Sequence, residues 1–229
     1  MDKNGMIENP GSPQIKICGL TVVEEALACA QAGADAIGLV FYPPSPRNIS
    51  AAVARDIGAN LPPHICKVGL FVDAPFLEMM KTAQNCRLDY IQLHGCEPPA
   101  MVEAIQMAGI SVIKALFANK KPFVSEAKDY RSCVFLVEVG SQAAPGGSGL
   151  VWQWGAARAF LAGRPTILAG GLNPENVGEA IGQFGAPDAV DVSSGVESAP
   201  GRKDIDKVRA FIETVRNTKP GFAPGRIFQ

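Results

Sequence analysis

Eight times between residues 14 and 216, a short run rich in Val, Ile, Leu and Ala gives way to a stretch with helical spacing. The apolar runs are 14–18, 35–41, 65–72, 89–94, 111–117, 133–138, 166–169 and 189–192. Short, nearly continuous apolar runs suit strands buried on both faces, as in a parallel sheet covered by helices. The intervening patterns predict helices starting at Thr21, over 50–60, 75–86, 97–108, 122–130 and 152–162, one opened by Asn173-Pro174-Glu175, and a last one over 203–216. Strands alternating with helices imply right-handed crossover units, and eight of them within one domain imply a closed (β/α)8 barrel, the TIM barrel. An open doubly wound sheet would carry a G-x-G-x-x-G turn after its first strand, whereas this turn reads Cys18-Gly19-Leu20-Thr21. The expected organisation is a flexible segment 1–13, a single α/β barrel domain 14–216 and a loosely held tail 217–229.

Local signals support these boundaries. Thr21 followed by Glu24 reads as a capping box, ahead of an apolar face at Val22, Val23, Ala26, Leu27 and Ala30. Phe76, Met79, Met80 and Ala83 form a helical stripe that reads as core packing. Asn173 suits an N-cap and Pro174 a first helical turn, where the missing N–H is not needed.

Composition narrows the function classes. With 21 Lys and Arg against 22 Asp and Glu, no basic face for nucleic acid or an anionic membrane is expected. No apolar run approaches the ~20 residues that span a bilayer. The polar start MDKNGMIENPGSPQ lacks the apolar centre of a signal peptide, so a cytoplasmic location is expected. The six cysteines contain no C-x-x-C pair, the two histidines are too few for a His-based cluster, and H-E-x-x-H is absent. No metal is expected. A monomer is the expected assembly, with a homodimer as the alternative.

In such a barrel, chemistry collects where strands run into their following loops. Those positions hold Cys18, Arg47, Asp73, His94, Glu138, Gly170-Gly171, Asp191 and Ser193-Ser194-Gly195. The two glycine-bearing turns after the last two strands would offer backbone N–H groups to a phosphate. Cys18 shares a strand face with Lys16 and precedes a helix N-terminus, both of which lower a thiol pKa from ~8.5. It reads as a base or nucleophile, or else as an inert buried cysteine. Glu138 ends an apolar strand, where desolvation favours a general acid; a solvated loop carboxylate is the alternative. Arg47 follows a stiff Pro-Ser-Pro lead that could aim its fork at a substrate carboxylate, unless it is only solvated. His94 could bond substrate or serve structure. Together these groups suit proton transfer on a phosphorylated, carbonyl-like substrate without a metal.

KICGLT (16–21), GLVFYPPSPRNIS (38–50), VGLFVD (68–73), DYIQLHG (89–95), ILAGGLNPENV (167–177) and VDVSSGVESAPGRKD (190–204) stand in order and spacing. With them the chain resembles the phosphoribosylanthranilate isomerase family of tryptophan biosynthesis over residues 14–216. The resemblance implies an Amadori rearrangement of N-(5'-phosphoribosyl)anthranilate, with no cofactor. It makes Cys18 the general base and Glu138 the general acid, in a position where the family usually has aspartate. It puts Arg47 near the anthranilate carboxylate and the phosphate at Gly170, Gly171, Ser193, Ser194 and Gly195, with Asp191 beside it. The family's glycine loop is present as Gly146-Gly147-Ser148-Gly149, followed by Leu150 where lysine is common, and by Trp152-Gln153-Trp154. Competing readings are another phosphosugar barrel, such as an indoleglycerol-phosphate synthase or a pentose-phosphate epimerase, and a non-catalytic phosphosugar-binding barrel.

Overall fold

The computed structural model describes residues 11–131, 133–138, 159–161, 163–185, 187–221 and 223–229. Eight strands pair in parallel, each with the next, and the eighth returns to the first. They are β1 Gln14–Cys18, β2 Ala36–Phe41, β3 Cys66–Phe71, β4 Tyr90–Leu93, β5 Ser111–Phe117, β6 Val134–Glu138, β7 Thr166–Leu168 and β8 Ala189–Val192. The expected barrel is therefore present. Helices α1 Val23–Ala32, α2 Ala51–Asn60, α3 Phe76–Cys86, α4 Pro99–Met107, α5 Val177–Phe184 and α6 Ile205–Asn217 pack outside it. The helix expected over 152–162 lies outside the described residues except at 159–161, and so does the glycine loop 146–149. After β8 a small antiparallel hairpin forms from β9 Glu197–Ala199 and β10 Arg202–Lys203.

Apolar character on both strand faces builds two cores. Outward-facing residues such as Ile15, Ile17, Ile37, Leu39, Val190 and Val192 pack under the helices with Phe211, Val208, Met79 and Ile105. Inward residues such as Ala36, Val68, Ile113, Ala115, Leu136 and Ile167 fill the barrel. The methionine stripe of α3 is core, with Met79 fully buried and Met80 and Phe76 packed against the cluster.

Caps show where local chemistry wins. Ser50 Oγ accepts from Val53 N and opens α2, and Asp204 accepts from Asp206 N and Lys207 N to open α6. The capping box at Thr21 does not form: α1 starts at Val23, because Thr21 Oγ1 instead donates to Gly201 O at 2.7 Å. Asn173 Oδ1 accepts from Glu175 N and Asn176 N, so it caps a turn that leads into α5 one turn later than expected. The helix expected over 122–130 is a short 3-10 turn, Val124–Asp129. Arg164 Nη1 takes the carbonyls of Ala127 and Tyr130, both at 2.7 Å, where a longer helix would need them. Among the described residues no helix is long and apolar enough to cross a membrane.

The tail is a correction to the sequence reading. It runs under the barrel, where Gly225 N donates to Asp188 Oδ1 and Tyr90 OH to Ile227 O. Gln14 Oε1 accepts from Ile227 N and Phe228 N, and Gln14 Nε2 donates back to Phe228 O. Ile227 and Phe228 are buried members of the inner core, and the Phe228 ring meets Tyr90 edge-on at 5.8 Å. A polar glutamine at the start of β1 is satisfied by closing the barrel floor. Ser12, in the expected flexible lead, is also buried and accepts from Arg216 Nη1. Phe228→Ala is expected to destabilise the protein by about 3 kcal/mol in urea unfolding, as for other buried phenylalanines. A loss below about 0.5 kcal/mol would mean that the tail adds nothing to the core.

Candidate active site

Side chains alternate along a strand, so every second residue points into the barrel. On four strands these inward positions are polar and rise toward the carboxyl ends. β1 presents Gln14, Lys16 and Cys18; β4 presents Tyr90 and Gln92 and leads to His94; β6 ends in Glu138; β8 presents Asp191. The structure thus brings Cys18, His94, Glu138 and Asp191 to one end of one barrel interior.

Lys16 and Asp191 are register partners across the β1–β8 junction, and Lys16 Nζ donates to Asp191 Oδ1 at 2.8 Å. The Lys16 side chain is fully buried and that of Asp191 nearly so. Burial works against the ammonium, but Asp191 and the Cys18 thiol outweigh it and hold Lys16 above its ordinary value. Cys18 is itself buried, packed with Val40 and Leu70 at the barrel mouth. Gly38 of β2 makes the room: a Cβ there would lie 2.6 Å from Cys18 Sγ. Burial pushes the Cys18 thiol up, with Lys16 the foremost group pulling it down. The sequence reading expected the reverse net direction. It counted the ammonium but not the desolvation of a thiol walled in by apolar neighbours.

Glu138 is met by His94, whose Nε2 lies 3.2 Å from Glu138 Oε1. His94 Nδ1 lies 3.1 Å from Nε2 of the fully buried Gln92, and the imidazole stands edge-on to Phe117. With the Gln92 amide nitrogen donating to Nδ1, the tautomer that pairs with it carries its proton on Nε2, facing the carboxylate. His94 therefore contacts the acid candidate, a partner the sequence did not reveal. The loop after His94 is locked from below. Lys114 Nζ, on the outer face of β5, donates to Gly95 O and Glu97 Oε2, both at 2.7 Å, and Glu97 accepts from Gly95 N and Asp73 N. Asp73 Oδ1 accepts from Cys96 N, so this strand-end carboxylate is spent on structure.

Arg47 is aimed by a carboxylate rather than by its proline lead alone. Its Nε and Nη2 donate to Glu197 Oε1 and Oε2 at 2.7 and 2.6 Å, and Lys203 Nζ reaches the same carboxylate at 2.8 Å. Burial works against the Glu197 charge, but the hydrogen bonds from Arg47 and Lys203 outweigh it and hold the carboxyl below its usual range. The guanidinium remains partly exposed. Glu197 and Lys203 were both missed, since 150 positions separate Glu197 from Arg47.

The two glycine-bearing turns lie side by side. Gly170 and Gly171 adopt left-handed φ values of 87° and 69°, so only glycine turns there without strain. Gly195 packs against the Leu172 carbonyl, a closeness that leaves no space for a Cβ. Ser193 Oγ is already committed, donating to Cys18 O at 3.0 Å, while Ser194 is exposed. Among the described residues no cluster suits a metal ion. The distant depression of about 800 Å³ lined by Tyr90, Ser111, Cys133 and Arg164 contains none of these groups. A buried thiol, a carboxyl group on an imidazole, a partly exposed guanidinium and paired glycine turns can move protons on a doubly anionic ligand.

A family model described as N-(5'phosphoribosyl)anthranilate (PRA) isomerase matches residues 15–214. A protein of Desulfatibacillum aliphaticivorans named N-(5'-phosphoribosyl)anthranilate isomerase is 45% identical over 215 residues, 94% of this chain and 98% of that one. A crystal structure of phosphoribosyl anthranilate isomerase in complex with reduced 1-(o-carboxyphenylamino)-1-deoxyribulose 5-phosphate superposes with TM-score 0.80 at 38% identity, covering 89% of this chain and 98% of that one. Monomers generated from the dimeric Thermotoga maritima enzyme superpose with TM-score 0.77 at 37% identity and the same coverage. Matched over nearly its whole barrel, this chain belongs to the N-(5'-phosphoribosyl)anthranilate isomerase family.

Proposed function

We infer that this chain is an isomerase of tryptophan biosynthesis that converts N-(5'-phosphoribosyl)anthranilate to 1-(2-carboxyphenylamino)-1-deoxyribulose 5-phosphate. Beyond family membership, one observation carries the reading: a thiol on β1 and a carboxyl group on β6 share the barrel mouth with Arg47 and the paired glycine turns. In the first step Glu138 delivers a proton to the ribose ring oxygen, the C1'–O bond breaks, and the nitrogen lone pair forms an iminium. Cys18, as thiolate, then takes the C2' proton, and the C–H electron pair neutralises the iminium to give an enol-amine. The Cys18 thiol returns a proton to C1' while the enol O2'–H gives its proton to the Glu138 carboxylate, which yields the ketone and restores both groups, so atoms and electrons balance without a cofactor. His94 Nε2–H stabilises the carboxylate that Glu138 becomes. The partly exposed guanidinium of Arg47 takes the anthranilate carboxylate, and the turns at Gly170, Gly171, Ser194 and Gly195 take the phosphate. Ser193 contributes backbone, its hydroxyl being held by Cys18 O.

Six free cysteines without a disulfide support a cytoplasmic setting. The assembly we propose is a monomer: among the described residues the two most exposed large apolar side chains, Leu77 and Met107, stand on different helices, one at the start of α3 and the other at the end of α4. Sedimentation showing a stable dimer would overturn that assignment.

The activity test follows loss of substrate fluorescence with purified protein. Cys18→Ser is expected to lower kcat about 1,000-fold while phosphate-site affinity persists. Near-normal kcat would remove Cys18 as the base. Glu138→Gln should cost at least ~100-fold, and Glu138→Asp should retain far more activity. Equal rates for wild type and Glu138→Gln would exclude Glu138 as the acid, and no turnover by wild type would favour a binding barrel. Arg47→Ala, and Glu197→Gln to a smaller degree, should raise KM more than they lower kcat. An unchanged KM in Arg47→Ala would refute the carboxylate contact.

A further inference from the structure

We propose that Lys16 is a positioning residue for proton abstraction: its buried ammonium, kept charged by Asp191, is the counter-charge that sustains the Cys18 thiolate in the barrel mouth. The proposal rests on reading Cys18 as the base. A fully buried lysine is rare, and a buried ion pair is often no more stabilising than apolar residues of similar volume. Elsewhere in the barrel interior inward positions are apolar, at Ala36, Val68, Ala115 and Ile167. Stability therefore does not account for a lysine here.

Position does. Lys16 lies two residues before Cys18 on the same inward face of β1, and its ammonium is held by Asp191 at the β1–β8 junction beneath the buried thiol. Four charged groups face the thiol: Lys16 from β1, Asp191 from β8, Lys203 from β10, and Arg47 from the loop after β2. Lys203 and Arg47 are both bound to Glu197, which neutralises much of their field. Asp191 opposes the thiolate, and its Oδ1 is engaged by the Lys16 ammonium. Burial disfavours the charged thiol, and Lys16 is the largest effect acting against burial. Asp191 thereby acquires a role: it keeps a buried lysine from shedding its proton, and the lysine keeps the base usable. The same cation also remains in place when Cys18 becomes neutral after taking the C2' proton, so no charge must move within the floor.

The test titrates the thiolate directly by its absorbance near 240 nm, each protein being read against its own Cys18→Ser counterpart so that only Cys18 contributes. Lys16→Met removes the cation but strands Asp191. The double variant Lys16→Met/Asp191→Asn removes both charges and spares the fold an unpaired carboxylate. In each, the Cys18 midpoint should move up by at least about one pH unit, and the ascending limb of kcat should follow, lowering kcat near neutrality about tenfold with KM little changed. A purely structural role would lower thermal stability and leave the midpoint where it was. A folded double variant that titrates like wild type overturns the proposal. If the midpoint moves but Cys18→Ser alone still turns over normally, the base assignment fails instead, so the two failures are distinguishable.

Discussion

The Lys16–Asp191 pair spans the junction where the last strand meets the first and the barrel closes. Taking two charges out of water costs several kcal/mol for each ion, and removing one partner alone costs about 3–5 kcal/mol. That penalty makes the junction register unforgiving, because a shift of one residue would turn Lys16 from Asp191 and bury both unpaired. The position of Cys18 follows from the same register, as does that of Ser193, whose hydroxyl holds the Cys18 carbonyl. The chemistry of the mouth is set from the floor upward.

Around that junction the loops are tied into one piece on each side. Thr21 holds Gly201, Arg202 and the Lys203 amide hold Glu25, and Glu197 holds Arg47 and Lys203, so the loops after β1, β2 and β8 share their polar contacts. On the other side, buried Lys114 and Glu97 fix the loops after β3 and β4 and with them the imidazole that meets Glu138. Each side thus holds its groups as a unit, which suits the proposed reaction, whose acid and base act on two atoms bonded to the same carbon.

The parts legible in the sequence are those with short-range signals. β1 and β5 fall where their apolar runs stand, Ser50 caps α2, and the paired glycine turns end up adjacent because consecutive parallel strands do. What was not legible depends on distant partners. Glu197 looks like any loop carboxylate until the hairpin places it under Arg47, and Thr21 looks like a cap until Gly201 claims its hydroxyl. The tail reads as polar punctuation around Ile227 and Phe228, and only the vacant floor of a barrel makes those two residues core. Proximity of Lys16 to Cys18 was readable from strand alternation, but the net direction of the thiol was not, since it depends on how completely Val40, Leu70 and their neighbours exclude water.

A crystal structure of this protein with reduced 1-(o-carboxyphenylamino)-1-deoxyribulose 5-phosphate tests the central claim most directly. The account predicts the phosphate on the turns at 170–171 and 194–195, the anthranilate carboxylate on the Arg47 guanidinium, and C2' within roughly 3.5 Å of Cys18 Sγ, with Glu138 reaching the sugar oxygens. A complex whose phosphate lies elsewhere, or whose C2' lies well out of reach of Cys18, would contradict it.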